Sequence, residues 1–337
     1  MIESTIPQTE PATLPVPPTG RIGRSVLAYG VGTALMLVSP LLVFAPAALF
    51  HCAMRNGRRA AWGAFAIAAT LSGLYFAQVA SVSSADAAKI AYTSLAAVIL
   101  AIALPSMATL PLVEHRQKFG RVLVFAVIAS AVGLGMTEVM MRSVADFSPL
   151  AVHMEQARQV GEDLAKSNST LFRDVTRWTP FAVAIVPAMV LIDIALVFVL
   201  SLLMYGRISV SWSRGKVGVP AAQNDYLFRS LALPDWTLFA FVLGGLTPLT
   251  TGLAQRLAAN LLTVVVFLYL LQGLAIFRSL LVRARIGMFG TMAAFLLLVL
   301  LSAGMGLLLL AMVGLFDTFF DFRKTKRKDD SHESHTD

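Results

Sequence analysis

The sequence predicts an all-α, polytopic transmembrane helical bundle of about eight to ten membrane segments, some of them short or broken. Three observations predict it. The 337 residues are 57% hydrophobic and only 14% charged, with a mean hydropathy of +0.74, too little charge to keep a soluble domain in solution. Apolar runs of about 20 residues, the length that crosses a hydrocarbon core, recur along the chain. The net charge of +8 sits in short basic clusters between those runs. That is the positive-inside pattern, not the footprint of a nucleic-acid binder.

Taken in order, residues 1–20 hold five prolines and no basic residue, which predicts a disordered N-terminal tail. Ala45-Pro46-Ala47 mimics a signal cleavage site, but Arg21 and Arg24 precede a run too long for a signal peptide. The transmembrane domain is expected over 21–323. Clear spans fall at 60–81, 89–113, 122–141, 180–205 and 257–282, and a shorter one at 236–251 is interrupted by Gly244-Gly245 and Pro248. Two segments admit two readings each. The 26–54 run contains Ser39-Pro40, and the 288–322 run contains Ser302-Ala303-Gly304; each is one long helix or a hairpin of two short ones.

The positive-inside rule separates these readings. One side holds Arg55, Arg58, Arg59, Arg116, Lys118, Arg121, Arg207, Arg214, Lys216, Arg229, Arg278, Arg283 and Arg285; the other holds Lys89, Arg142, Arg158, Lys166, Arg173, Arg177 and Arg256. Single spans would add both termini to the second group and erase the asymmetry, whereas hairpins would add them to the first. Hairpins are therefore expected, with both termini cytoplasmic and a charged cytoplasmic tail over 324–337. The remaining loop, 143–178, reads as an outer amphipathic helix, because Leu150, Met154, Ala157, Val160 and Leu164 recur every three to four residues.

Few residues carry chemistry. Asp193 lies midway along 180–205, where inserting an acid costs about 2.5–3.5 kcal/mol. Either a coupling or ligand-binding role or a helix-gluing pair would offset that cost. Gln78, Asn260 and Gln272 also sit inside apolar runs; with Asp193 they form the expected substrate-binding or coupling set, the alternative being interhelical hydrogen bonds. Ala60, Ala64, Ala68 and Ser72 form a small-residue track that lets another helix dock closely, and Ala69, Gly73, Ala77 and Ser81 form a second. Glu138 and Arg142 are spaced for a local ion pair. Cys52 is alone, so disulfides and cysteine-based metal sites are excluded. The chain has no phosphate-loop motif and no Ser/His/Asp constellation, so no catalysis, cofactor or metal is expected.

The C-terminal third, about residues 225–325, resembles the uncharacterised bacterial YybS-like membrane family. The matching stretches are 229–236 (RSLALPDW), Asn260 opening a long helix, 271–275 (LQGLA), 314–317 (GLFD) and 320–323 (FDFR). The resemblance implies a fold similar to the substrate-binding membrane subunits of energy-coupling-factor transporters, which work with a transmembrane coupling protein and ATPase subunits. Asp317, Asp321 and Arg323 sit where the last helix leaves the apolar run, and are expected to form a structural clamp on the cytoplasmic face. The functional expectation is a non-catalytic small-solute binding or transport subunit of a bacterial inner membrane, its ligand unnamed. The alternative is a scaffold or assembly factor acting through helix–helix contacts.

Overall fold

The computed structural model describes residues 19–166, 175–213, 227–301, 305–320 and 322. Among them all regular structure is helical. Five helices are long and apolar enough to cross a membrane: Arg58–Ser81, Ala85–Glu114, Phe119–Ala145, Val186–Ile208 and Gly252–Arg283. Shorter apolar helices accompany them. The expected tails, together with Asp321 and Arg323, fall outside the described residues, apart from 19 and 20.

The first ambiguous run is a hairpin, as the charge distribution predicted. Helix α1 (Thr19–Leu37) stops because Pro40 cannot continue it, and Ser39 accepts a hydrogen bond from the Leu41 N–H at 3.2 Å. A 3₁₀ turn, Pro40–Phe44, reverses the chain into α2 (Ala45–Asn56). Asn56 Nδ2 donates to Ser25 Oγ at 3.0 Å, and the Tyr29 and His51 rings meet edge to face at 5.7 Å, so the two helices run antiparallel. Helix α2 is the inner one: Leu49, Phe50, Cys52 and Ala53 are all buried.

Helix α3 (Arg58–Ser81) lies alongside α1. Its whole track of Ala60, Ala64, Ala68 and Ser72 is buried, and Gly30 of α1 sits so close that a β-carbon there would lie 2.7 Å from Ile67 and 3.1 Å from the Ala64 carbonyl. The small residues therefore dock α3 onto helices of its own chain. The next span is one rod in three parts: α4 (Ala85–Val98), a π-helical turn Ile99–Ala103, and α5 (Leu104–Glu114). Pro105 lacks an N–H to give the preceding turn, and the π turn absorbs the defect. Its Leu100 carbonyl protrudes toward α6 (Phe119–Ala145), where a β-carbon on Gly133 would lie 1.9 Å from it.

Near the C-terminal end of α6, Glu138 joins it to helix α7 (Pro149–Lys166). It accepts from Arg142 Nε at 2.6 Å, as the spacing predicted, and also from Ser148 Oγ at 2.5 Å and the Leu150 N–H at 3.1 Å. The amphipathic stripe of α7 is rotated from its expected position. Val160 is exposed, whereas Gly161 is buried where a β-carbon would meet Thr179 at 2.6 Å. The contact surface thus belongs to α8 (Val175–Ala184). On the outer face of α7, the hydrogen bond from Arg158 holds the Glu155 carboxyl below the usual carboxylate range.

The run expected as one span over 180–205 is broken. Helix α8 ends at Ala184, and α9 (Val186–Ser213) begins after the single residue Ile185. Pro187 has no N–H for the Val183 carbonyl, which interrupts the ladder. Chain 227–236 then runs as a 3₁₀ turn and extended backbone before α10 (Thr237–Gly245), short as expected, and α11 (Gly252–Arg283).

The second ambiguous run corrects the hairpin expectation. It resolves into α12 (Met288–Leu301) and α13 (Met305–Phe320). A β-carbon on Gly273 would lie 1.8 Å from the Leu310 carbonyl, and one on Gly314 2.0 Å from the Tyr269 carbonyl. That pairing makes α13 antiparallel to α11. A hairpin descending beside α11 would be parallel to it, so the expected return of the C-terminal tail to the arginine-rich end loses its structural basis. Helix α12 stands off the bundle, with Phe289 89% exposed.

Candidate functional site

The buried polar side chains that reach across the fold go to places where a helix is interrupted. At the α1–α2 turn, Ser201 of α9 donates its hydroxyl proton to the Val43 carbonyl. At the α8–α9 break, Asn260 of α11 bridges the rung next to the one Pro187 removes: its Nδ2 donates to the Ala184 carbonyl, and its Oδ1 accepts from the Ala188 N–H, both at 2.8 Å. Its second amide proton goes to the Arg256 carbonyl at 2.8 Å. With no water in a hydrocarbon core, a broken backbone needs such partners.

Gln272 is the most connected. Its Oε1 accepts from the Leu233 N–H at 2.8 Å, and its Nε2 donates to the Gly314 carbonyl at 3.0 Å and to Asp317 Oδ2 at 3.1 Å. Asp317 Oδ1 in turn accepts from the Phe322 N–H at 2.9 Å. Thr237 Oγ1 donates to the Pro234 carbonyl at 2.7 Å and lies 3.1 Å from the Tyr269 hydroxyl. The extended backbone at 231–234 is thereby tied to α11 and α13. It also touches α6, because a β-carbon on Gly120 would lie 1.9 Å from the Ala232 carbonyl. The stretches 229–236, 271–275 and 314–317 converge on this one place.

The four residues expected to bind substrate lie on α3, on the exposed stripe of α9 and at two separate joints of α11. Gln272 is buried and both its amide protons are engaged; Asn260 is half-buried with both of its own engaged. Gln78 is exposed on α3, and Asp193 is exposed on α9 in line with Met189, Leu196 and Leu200. Asp317, expected in a clamp with Asp321 and Arg323, accepts from Gln272 Nε2 and from the Phe322 N–H. No group of three His, Cys, Asp or Glu among the described residues stands close enough to hold a metal ion.

A concave site lies elsewhere. A cavity of about 720 Å³ is lined by Phe44, Leu200, Leu203, Met204, Arg207, Leu227, Phe228, Arg229, Arg278 and Val282. Ligand cavities commonly span about 300–1,000 Å³. The three arginines come from the end of α9, the 3₁₀ turn before α10 and the last turns of α11. Helices α9 and α11 run parallel: Asn260 meets 184 and 188 near one end, and Arg278 meets Arg207 at the other. The cavity therefore opens at the arginine-rich end. Guanidinium groups match phosphate and carboxylate oxygens two at a time. In the sequence these arginines registered only as topology markers; the signal available was that each closes a segment, and what was missing was which ends meet.

No curated protein and no solved structure matches the chain. One family model does, over residues 33–318, under the description "Predicted membrane protein (DUF2232)". The match takes in the end of α1, all of α2, the five long helices and nearly all of α13, and the chain belongs to that family of membrane proteins.

Proposed function

We propose that this protein is a non-catalytic binding subunit of a transport system in a bacterial inner membrane, with its arginine-rich end and the start of α1 facing the cytoplasm. The observation that carries the reading is the cavity lined by Arg207, Arg229 and Arg278 against a scaffold whose breaks are stitched by side chains. A preformed concave site on a rigid frame suits binding; Asn260 and Gln272, first suspected of binding, are spent on the frame. The YybS-like resemblance adds a transmembrane coupling protein and ATPase subunits as partners. The Ala60/Ala64/Ala68/Ser72 track is occupied within the chain, so such a partner would use another surface. Purification from native membrane in mild detergent tests this: a coupling protein and ATPase in fixed stoichiometry are expected, and their absence together with no bound ligand would overturn it.

A second reading, a membrane scaffold, is favoured by Asp193. An acid exposed on the middle of an apolar span costs about 2.5–3.5 kcal/mol in lipid, which a neighbouring protein's polar group would offset. Asp193→Leu should then release a partner that Asp193→Asn retains; equal retention by both variants would remove Asp193 from any interface.

A further inference from the structure

The chemistry of the cavity restricts its occupant further than a small solute. Among its described lining residues there is no Asp, Glu, Asn, Gln, Ser or Thr. Arginine is the only charged residue type among them, so an anionic group is what the site favours. What it offers is three guanidinium groups and a wall of Leu200, Leu203, Met204 and Val282. Such a division fits a ligand with an anionic head and an aliphatic body.

The wall also determines from where such a ligand enters. Leu200 is 46% exposed and Met204 37%, and both lie on the outward stripe of α9 that begins at Met189. The apolar side of the cavity is therefore continuous with the surface that the span presents to hydrocarbon. Arg207 is exposed where the apolar part of the same helix, Val186–Ile208, runs out, the place at which a headgroup would meet it. Basic pockets between spanning helices at a membrane interface are suited to anionic headgroups.

We propose that the cavity seats an anionic glycerophospholipid, its phosphate on Arg207, Arg229 and Arg278 and one acyl chain along Leu200, Leu203, Met204 and Val282. The proposal rests on the reading of this cavity as a binding site and names its ligand class. Bound lipid would fasten the C-terminal part of α9 to the chain before α10 and to the last turns of α11.

The test uses the purified full-length protein with phosphatidylglycerol, phosphatidylcholine and inorganic phosphate as probes. Binding is read by native mass spectrometry and by thermal unfolding in detergent. The expected result is retention of phosphatidylglycerol over phosphatidylcholine, weakened about tenfold by Arg278→Gln, the loss of one charge-assisted hydrogen bond. Arg207→Gln should act similarly. Arg207 is exposed, so this variant keeps the test alive if Arg278→Gln fails to fold. Arg59→Gln removes the same charge at the same end without touching the cavity and should leave binding unchanged. Equal weakening by all three variants would mean diffuse surface attraction and overturn the site. Saturable binding of inorganic phosphate that depends on Arg207 and Arg278, without lipid retention, would overturn the lipid assignment and keep the binding subunit. No binding of any probe would overturn both.

Discussion

The α1–α3 pair and the α11–α13 pair bring apolar helices into close contact by different means. Between α1 and α3 the contact is made by small residues: Gly30 against Ala64 and Ile67, with Ala60, Ala68 and Ser72 buried beside them. Polar groups add little there. The Thr33 and Ser72 hydroxyls are buried without a hydrogen-bond partner among the described residues. Between α11 and α13 the glycines approach as closely, but Gln272 and Asp317 add a hydrogen-bonded hub. The difference follows from the backbone nearby. Helices α1 and α3 satisfy their own N–H and C=O groups along the contact, so packing suffices. The α11–α13 pair must also accept the extended chain at 231–234, whose Leu233 N–H has no helical partner.

The most damaging way to break this comparison is to overpack the stapled pair. Gly273→Val places a branched side chain against backbone already 1.8 Å from where its β-carbon would stand. Destabilisation of about 3 kcal/mol or more is expected, read as loss of a monodisperse species in detergent. Removing the staple comes next. Gln272→Leu keeps the volume but orphans the Leu233 N–H and takes one donor from Asp317, which should cost about 2–3 kcal/mol, measured by thermal unfolding. A result near zero would show that glycine packing alone holds this pair. Ala64→Leu overpacks the unstapled pair; about 1–3 kcal/mol is expected, and a smaller loss than for Gly273→Val because side chains can yield where backbone cannot.

The smallest effect sharpens the contrast from outside the bundle. Glu155 and Arg158 pair on the exposed face of α7, where no backbone is broken. The Glu155 pKa is lowered in the folded protein, so its contribution is present above the ordinary value of 4.5 and is lost as pH falls through the lowered one. Acidification through that window should loosen α7 alone, seen as lower amide protection factors at 155–163, corrected for the intrinsic rate at each pH, with those in α11 unchanged. A parallel change in α11 would mean that exposed pairs matter to this fold as stitched breaks do.

Much of the architecture was legible because it depends on length and punctuation. Apolar runs of spanning length located the long helices, Ser39-Pro40 located the hairpin, and the short α10 followed from Gly244-Gly245 and Pro248. The direction of α13 was not legible, since charge counting weighs the termini and carries no information on which helix face meets which. The destinations of the polar residues were hidden for a related reason. Helix α11 is apolar on every side, so its sequence does not say whether Asn260 and Gln272 point at a ligand, at lipid or at another helix. A polar residue in an apolar run announces a cost, but what offsets the cost lies on another segment. For Asn260 that was Pro187, and for Gln272 the chain before Pro234.

Helix α6 receives a carbonyl at Gly133 from the π turn and another at Gly120 from the extended segment, two points about 20 Å apart along its axis. Mechanically it is a shaft keyed at two stations. Turning it, or sliding it by one residue, would drive the β-carbon of a neighbouring residue into a carbonyl oxygen at both. The rod containing the π turn, the shaft and the segment at 231–234 therefore move as one block, and whatever flexing the protein performs is left to elements outside that block, such as α12 and the α7–α8 cap.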